Sequence, residues 1–489
     1  MLSTGVSNNI TADILATSVW LILPLFLGFS GYLMPKLGRA FVLAVALVSL
    51  GYGISHILDP TATEWQLIDS FGVSLQVDGL SGYFVATNAL VTAAVALYCW
   101  PQNRSSFFYA QLTILHGSLN SIFLSNDFIS LYVGLEVVSI AAFLLITYSR
   151  TDRAIWIGLR YLFISNTAML FYLVGAVQVY KFHRSFDFAG LADAPIEAMV
   201  LILLGLLTKG GIFILGLWLP QTHGESETPV SAMLSGVVVK AGIFPLVRCS
   251  LLMEPVAATV TPLAAGAATV GLLYAILEQD TKRILAASTL SQMGFVLVAP
   301  AAAGPYALTH GLAKACLFLG VGNWPSRQLE ALKIKGVPWP QWLIVALPAL
   351  SIAGFPLIGG FGAKSLTIDS LDEWLLWWMS AAAVGSVIVM AKLLFLPIRQ
   401  PISFPWKLAR AAAPLLAGLF IVNAAVAEAY APKYLLKAAW TVALGWLLYG
   451  TLLRGRLQQA QLPRTPENLE HLIGVMSLML AVLFGMILV

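Results

Sequence analysis

The chain has 489 residues, 59% of them hydrophobic and only 10% charged, with a net charge of +4. Soluble domains carry about 25% charged residues, and no water-soluble fold of this length could hide so much apolar surface. Composition therefore excludes a soluble fold and predicts an all-α polytopic membrane protein, whose partner is the lipid bilayer and not nucleic acid.

A span needs about 20 mostly apolar residues. Such runs recur near 12–34, 40–58, 80–100, 108–125, 127–148, 154–181, 195–220, 228–253, 256–278, 283–303, 305–323, 341–366, 374–398, 408–428, 433–453 and 470–489. That predicts roughly 14–16 helices. The runs do not alternate as barrel strands would. The first run is too long for a signal-peptide core and reads as a retained helix. Between the second and third runs, Gly72-Val73-Ser74-Leu75-Gln76-Val77-Asp78 alternates and predicts a short hairpin on the outer face. Cys99, Cys249 and Cys316 all sit in apolar runs and read as small buried hydrophobes.

Loop charge supports this order. Loops after odd-numbered spans carry Lys36, Arg39, Arg104, Arg150, Arg153, Lys282, Arg283, Arg327, Lys333, Lys335, Arg399, Lys407, Arg410, Arg454, Arg456 and Arg464. Loops after even-numbered spans carry chiefly Lys181, Arg184, Lys433 and Lys437, and the second holds Asp59, Glu64, Asp69 and Asp78. The positive-inside rule puts the odd loops in the cytoplasm.

A charge at a helix centre costs about 2.5–3.5 kcal/mol on insertion scales, so it calls for an ion or proton pathway. Glu136, Lys209 and Lys240 lie mid-span. Lys314 follows His310 by one turn and shares its face. Lys364 and Lys392 lie nearer span ends, where snorkelling is the competing reading. Helix breakers crowd these sites. Gly210-Gly211 and Pro220 follow Lys209, Pro245 follows Lys240, and Pro348, Gly354, Pro356, Gly359, Gly360 and Gly362 precede Lys364. Interrupted helices in both halves suggest the inverted repeats of transporters. The boundaries read as N-terminal helices over 1–107, a first repeat over 108–253, a second over 254–400 and C-terminal helices over 401–489. Gly359-Gly360-Phe361-Gly362-Ala363-Lys364-Ser365 imitates a phosphate loop, but Ala363 separates glycine from lysine and no strand precedes it. No metal cluster or cofactor fingerprint is present in the sequence, so no cofactor is expected.

Several motifs resemble one family. Pro220-Gln221-Thr222-His223-Gly224-Glu225-Ser226-Glu227-Thr228-Pro229-Val230-Ser231 runs on to Lys240-Ala241-Gly242 and Arg248. Asp280-Thr281-Lys282-Arg283-Ile284-Leu285-Ala286-Ala287-Ser288-Thr289-Leu290-Ser291-Gln292-Met293-Gly294 follows. Then come His310-Gly311-Leu312-Ala313-Lys314 and Gly354-Phe355-Pro356-Leu357-Ile358-Gly359-Gly360-Phe361. Together with Asn126-Asp127 through Glu136, these resemble the proton-pumping antiporter-like subunits of respiratory complex I, Mrp-type cation/proton antiporters and membrane-bound hydrogenases. The likeness covers about Gly72 to Lys392.

The resemblance implies a proton relay. Glu136 and Lys209 look like a carboxylate tuning a lysine, Lys240 like the central lysine, and His310 and Lys314 like the bridge to a second half-channel. Lys364 or Lys392 is the terminal residue, the two remaining alternatives, and His223 is expected at a channel mouth. Ser226-Glu227 departs from the Ala-Pro common before Thr-Pro-Val-Ser, and Arg160 stands where lysine is common. Length and the Asn126-Asp127 motif look most like the D-type subunits of Mrp-type Na⁺/H⁺ antiporters, with complex I relatives second. Partner membrane subunits, H⁺ and Na⁺ are implied, in the cell membrane of a prokaryote or a thylakoid-type membrane. No catalytic chemistry of its own is expected, although the assembly could be an NADH:quinone oxidoreductase. A non-conducting scaffold is a further alternative, and a lipid-processing enzyme has only the loop His223-Gly224-Glu225-Ser226-Glu227 in its favour.

Overall fold

The computed structural model describes residues 3–68, 71–401, 403–425, 427–453 and 468–488. Asp69, Arg454, Arg456 and Arg464, which entered the loop-charge argument, lie outside the described residues.

Helices α1 (Ser3–Leu33) and α2 (Gly38–Leu58) lead to an antiparallel hairpin, β1 (Thr63–Ile68) and β2 (Gly72–Val77), where the alternating sequence predicts one. Helices α3 (Gly79–Cys99), α4 (Ser106–Ile122), α5 (Phe128–Ile146) and α6 (Asp152–His183) follow. Asp127 caps α5 by accepting from the Ile129 and Ser130 amides, and its other oxygen accepts from the Ser74 amide at 2.8 Å. One carboxylate thus starts a helix and pins the hairpin to it. Burial pushes the Asp127 carboxyl up, against the pull of these amide donors.

The next expected span, 195–220, is broken. Helix α7 (Ile196–Gly210) stops at Gly211, whose φ of 64° is left-handed. A 3₁₀ turn over Phe213–Trp218 leads into α8 (Leu219–Glu225). Helix α9 (Thr228–Met233) then widens into a π turn over Leu234–Val238 before α10 (Lys240–Leu252). Helices α11 (Glu254–Leu277), α12 (Thr281–Leu297), α13 (Ala303–Val321) and the short α14 (Leu329–Lys335) come next. The expected span 341–366 is also two pieces, α15 (Trp339–Ala353) and α16 (Gly360–Asp369), separated at Gly354 with φ 80°. Helices α17 (Glu373–Leu394), α18 (Trp406–Ala425), α19 (Pro432–Leu448) and α20 (Leu469–Leu488) complete the described chain. A two-residue parallel bridge, β3 (Val337–Pro338) with β4 (Ile398–Arg399), is a feature the sequence did not announce.

Among the described residues, eleven helices are long and apolar enough to cross a membrane, and twelve if the bent pair of α12 with Pro300–Val321 is one span. The other expected spans fall on shorter helices, such as α4 with 17 residues and α15 with 15. A helix buried among helices can be shorter than the bilayer is thick, because its ends face protein.

Contacts confirm two chemically different ends. Asp280 bridges Gln328 and pairs with Arg327 at 2.7 Å, and Arg104 pairs with Glu227 at 2.5 Å, at the end rich in arginine and lysine. The hairpin meets Ser125, and Asp127 meets Asp187, at the acid-rich end. Helix α18 packs on α3 and α13, and α20 packs on α7, so the helices outside the middle of the chain wrap its centre.

Candidate functional site

Both breaks end in the same way. At the first, the Gly211 amide donates to Thr208 O at 3.2 Å and the Ile212 amide to Leu207 O at 2.9 Å. At the second, the Gly354 amide donates to Ser351 O at 3.0 Å and the Phe355 amide to Leu350 O at 2.9 Å. This double bond consumes two orphan carbonyls of each helix end and requires a left-handed residue, which glycine adopts without strain. Each break keeps a lysine beside it.

Lys209 is fully enclosed at the end of α7. Its Nζ donates to Ser165 Oγ at 2.6 Å and to Ser139 Oγ, and the two hydroxyls lie 3.0 Å apart. The Tyr161 ring lies 5.9 Å away. Glu136 on α5 is half-exposed; it feels the Lys209 charge but makes no ion pair with it within 4 Å, the two serines standing around the amine instead. The expected glutamate–lysine pair is therefore an electrostatic relation without contact.

Lys240 begins α10 where the π turn ends. The wide turn shifts the helix ladder, so that Val239 donates to Leu234 O, five residues back. Lys240 Nζ takes the Gly236 carbonyl at 2.5 Å and lies 3.2 Å from His310 Nδ1 on α13. Ser235 Oγ and Thr289 Oγ1 form a 2.7 Å contact beside it. One turn beyond His310, Lys314 Nζ donates to Leu285 O at 2.9 Å and to Ser288 Oγ. The structure thus brings Lys240, His310 and Lys314 together.

Lys364 on α16 reaches back to the second break, donating to Ile352 O at 2.7 Å and to Ser386 Oγ at 2.9 Å, with the Phe295 ring 5.0 Å away. Tyr306, one turn before His310, donates to Gln292 Oε1 at 2.8 Å and stacks on that same Phe295 ring at 5.9 Å. Lys392 does something else. Its Nζ takes Ala275 O, Ile276 O and Glu278 O at 3.1, 2.8 and 2.5 Å, capping the end of α11. A cation there answers the helix dipole and the orphan carbonyls. Of the two alternatives for a terminal residue, the broken helix adjoins Lys364 alone.

His223, expected at a mouth, is fully buried, stacked on Phe318 at 4.6 Å with neither ring nitrogen hydrogen-bonded. The reason is the loop after it. Arg104 holds Glu227, Arg283 and Arg153 hold Glu225 at 3.9 and 3.5 Å, and Lys282 Nζ donates to Ser226 O at 2.8 Å. Both acids of this loop, Glu225 and Glu227, are held in ion pairs with arginines. Lys282 itself is buried, a position its sequence neighbour Arg283 disguises as loop charge.

Among the described residues no buried lysine of the row has a carboxylate within 4 Å, and no group of three or more His, Cys, Asp or Glu could hold a metal. Ser139, Ser165, Ser288, Ser386 and Thr289 complete the site, and sequence reasoning missed them.

The sequence pattern of the family described as "NADH:quinone oxidoreductase/Mrp antiporter, TM" matches residues 125–389, just over half of the chain. The chain belongs to this family. The NADH-quinone oxidoreductase subunit N of Desulforudis audaxviator (strain MP104C) is 30% identical over 421 residues, 76% of this chain and 84% of that one. The protein mnhA2 of Staphylococcus aureus (strain JH9), which carries an antiporter-subunit name, is 30% identical over 359 residues, 64% of this chain and 45% of its own length. The chain thus spans less than half of that relative. A chain in the Mrp complex from Dietzia sp. DQ12-45-1b shares the fold, with a TM-score of 0.72 at 18% identity over 90% of this chain and 98% of that one. This is a multi-pass membrane protein of the antiporter-like class.

Proposed function

We propose that this chain conducts protons as a membrane subunit of a multisubunit assembly, through Glu136, Lys209, Lys240, His310 and Lys364 in that order, with Lys314 branching off one turn from His310. The observation that carries the reading is the row of enclosed lysines without a contacting carboxylate. A buried charge is normally neutralised by a close counter-ion. Here two serine hydroxyls hold Lys209, a carbonyl and the His310 nitrogen hold Lys240, and a carbonyl with a serine hydroxyl holds each of Lys314 and Lys364, partners that serve a proton in transit. Ser139, three residues after Glu136 on α5, and Ser165 hold the Lys209 amine. The Lys209-to-Lys240 step passes where α7 and α10 touch. His310 joins Lys240 directly and Lys314 through one helical turn. Tyr306 and Gln292 lead on to Lys364. Lys392 stays outside this order as a helix cap.

The assembly is a cation/proton antiporter of the Mrp type, in the cell membrane of a prokaryote, with sodium as the exchanged cation. A second reading, a proton-translocating subunit of an NADH:quinone oxidoreductase, is favoured by the 84% coverage of the subunit N relative. Proton transport in inverted vesicles carrying the complete complex, wild type against Lys209→Ala at matched assembly, tests the relay. Loss of transport is expected; full transport in the variant would reduce the chain to a scaffold. Sodium dependence of the wild-type signal then separates the two assemblies.

A further inference from the structure

Helix α14 has only seven residues, and short links tie it to a span on each side. Residues 322–328 join it to α13 and 336–338 join it to α15, so it stays at the membrane surface, at the end rich in arginine and lysine. Gln328, just before it, bridges Asp280 there, and the Leu329 amide donates to Gln279 O at 3.1 Å. Leu329 and Leu332 are its buried residues. Lys333, Ile334 and Lys335 are exposed. Ile334, two residues and so about 200° around the helix from Leu332, is 88% exposed. The chain then turns at Gly336, with φ 67°, into the bridge of Val337 and Pro338 with Ile398 and Arg399. A Cβ on Gly336 would stand 3.6 Å from Arg399 Cβ, so this clasp sets Arg399 beside the end of α14. Ile398 and Arg399 are exposed as well.

The charges around the clasp do not cancel. Arg327 pairs with Asp280 at 2.7 Å. Lys392, capping α11, is attracted by Glu278. Lys282 and Arg283 turn to the other side, to Ser226 O and Glu225. That leaves Lys333, Lys335 and Arg399 against Glu330 alone, a surface two charges positive. None of the three cations makes an ion pair among the described residues. The lysines of the last turn and Glu330 of the first suit the dipole of α14, but Arg399 has no such role. Cations with exposed isoleucines between them match the layer where headgroups meet acyl chains, phosphate above and hydrocarbon below. An acidic protein segment would have to enter that layer to reach α14.

We propose that α14 and the β3–β4 clasp form a binding surface for the phosphodiester headgroup of an anionic phospholipid of the cytoplasmic leaflet. Lys333, Lys335 and Arg399 take the phosphate oxygens, and Ile334 and Ile398 rest on the upper part of the acyl chains. The surface is independent of the proton relay.

The complete complex in lipid nanodiscs tests it. The native cysteines of this chain are buried, so Ile334→Cys offers one reactive thiol on it for a fluorophore. The nanodiscs are phosphatidylcholine with a small fraction of quencher-labelled phosphatidylglycerol or, in parallel, the same fraction of quencher-labelled phosphatidylcholine. Phosphatidylglycerol is expected to quench the fluorophore at lower fractions than phosphatidylcholine. Each neutralised cation is expected to cut that preference about fivefold. Lys333→Gln, Lys335→Gln and Arg399→Gln together are expected to abolish it; all three side chains are exposed, so the fold does not depend on them. Equal quenching by the two lipids with the three cations in place would overturn the headgroup site. Quenching by neither would put α14 against water or an acidic partner subunit, and would overturn it as well. A preference that survives in the triple variant would assign the selectivity to other residues and overturn the roles given to these three.

Discussion

Gly210 and Gly242 meet backbone to backbone: a Cβ on Gly242 would stand 2.3 Å from the Gly210 nitrogen and 2.8 Å from its Cα. Gly210 directly follows Lys209, and Gly242 lies two residues after Lys240. The contact that packs α7 on α10 therefore sets the spacing of two relay lysines. Small residues let membrane helices approach this closely. Gly242→Ala cannot be absorbed by a side-chain shift, because the atoms it meets, Gly210 N and Cα and Leu206 O, are all backbone of α7. We expect a loss of about 1–3 kcal/mol, read as a lower thermal midpoint of the solubilised complex, together with slower proton transport. Gly474→Ala on α20 meets nothing within 4 Å and is the neutral control. Equal midpoints for the two variants would show that the contact is not decisive.

The serine cage around Lys209 makes a second expectation. Hydrogen bonds to a charged group contribute about 1.5–3 kcal/mol each. Ser139→Ala combined with Ser165→Ala strips both from the amine and should slow proton transport by about tenfold or more at matched assembly, since about 1.4 kcal/mol is one decade. The single variants should fall between, because either hydroxyl alone still reaches Nζ. Unchanged transport in the double variant would leave the serines as packing.

Lys364 and Lys392 should separate cleanly by readout. Lys392→Met removes three bonds to the end of α11, so thermal stability should fall by about 1–2 kcal/mol with transport per assembled complex preserved. Lys364→Met should do the reverse, abolishing transport while the complex assembles. The opposite pattern in a paired stability and flux assay would exchange their roles.

The Asp78–Arg248 pair gives a pH expectation. Asp78 caps α3 through the Ser81 amide, and Arg248 of α10 grips both its oxygens. Burial raises the Asp78 carboxyl, but the Arg248 bonds and charge and the Ser81 donors outweigh it and hold the group below its usual value. A carboxyl with a depressed folded value stabilises fully above the unfolded value of about 3.9 and loses that contribution as pH falls through the folded one. Thermal midpoints should thus hold through neutral pH and decline below about pH 4. Asp78→Asn leaves Arg248 buried and unpaired, at a cost of about 3 kcal/mol at neutral pH, and should lack that share of the acid decline. A variant with the wild-type midpoint and acid profile would mean the pair contributes nothing.

Much of this was legible in the sequence, for identifiable reasons. An ionised side chain in an apolar run stands out against its neighbours, so Glu136, Lys209, Lys240 and Lys314 could be read directly. Glycine and proline mark broken helices, and both breaks lie where they crowd. Serine carries no such contrast. Ser139 and Ser165 sit 70 and 44 residues from the lysine they hold, and nothing local distinguishes them from serines bonded to their own helix, such as Ser118 to Ile114 O. Lys392 was ambiguous because a helix cap is recognised only once the end of α11 is known to lie beside it. His223 follows a break, which in sequence points to a mouth, whereas its burial depends on Phe318, a residue about 95 positions away that stacks on it.

The packing of α20 on α7 has a consequence in time. The two helices are about 260 residues apart in the chain. At roughly 5–20 residues per second of synthesis, α7 waits about 10–50 s in the bilayer before the helix that covers it exists. During that interval the flank of the helix bearing Lys209 is open to whatever lies in the membrane beside it. The window closes only when α20 arrives, so a chain halted after α19 would insert with that flank of α7 uncovered.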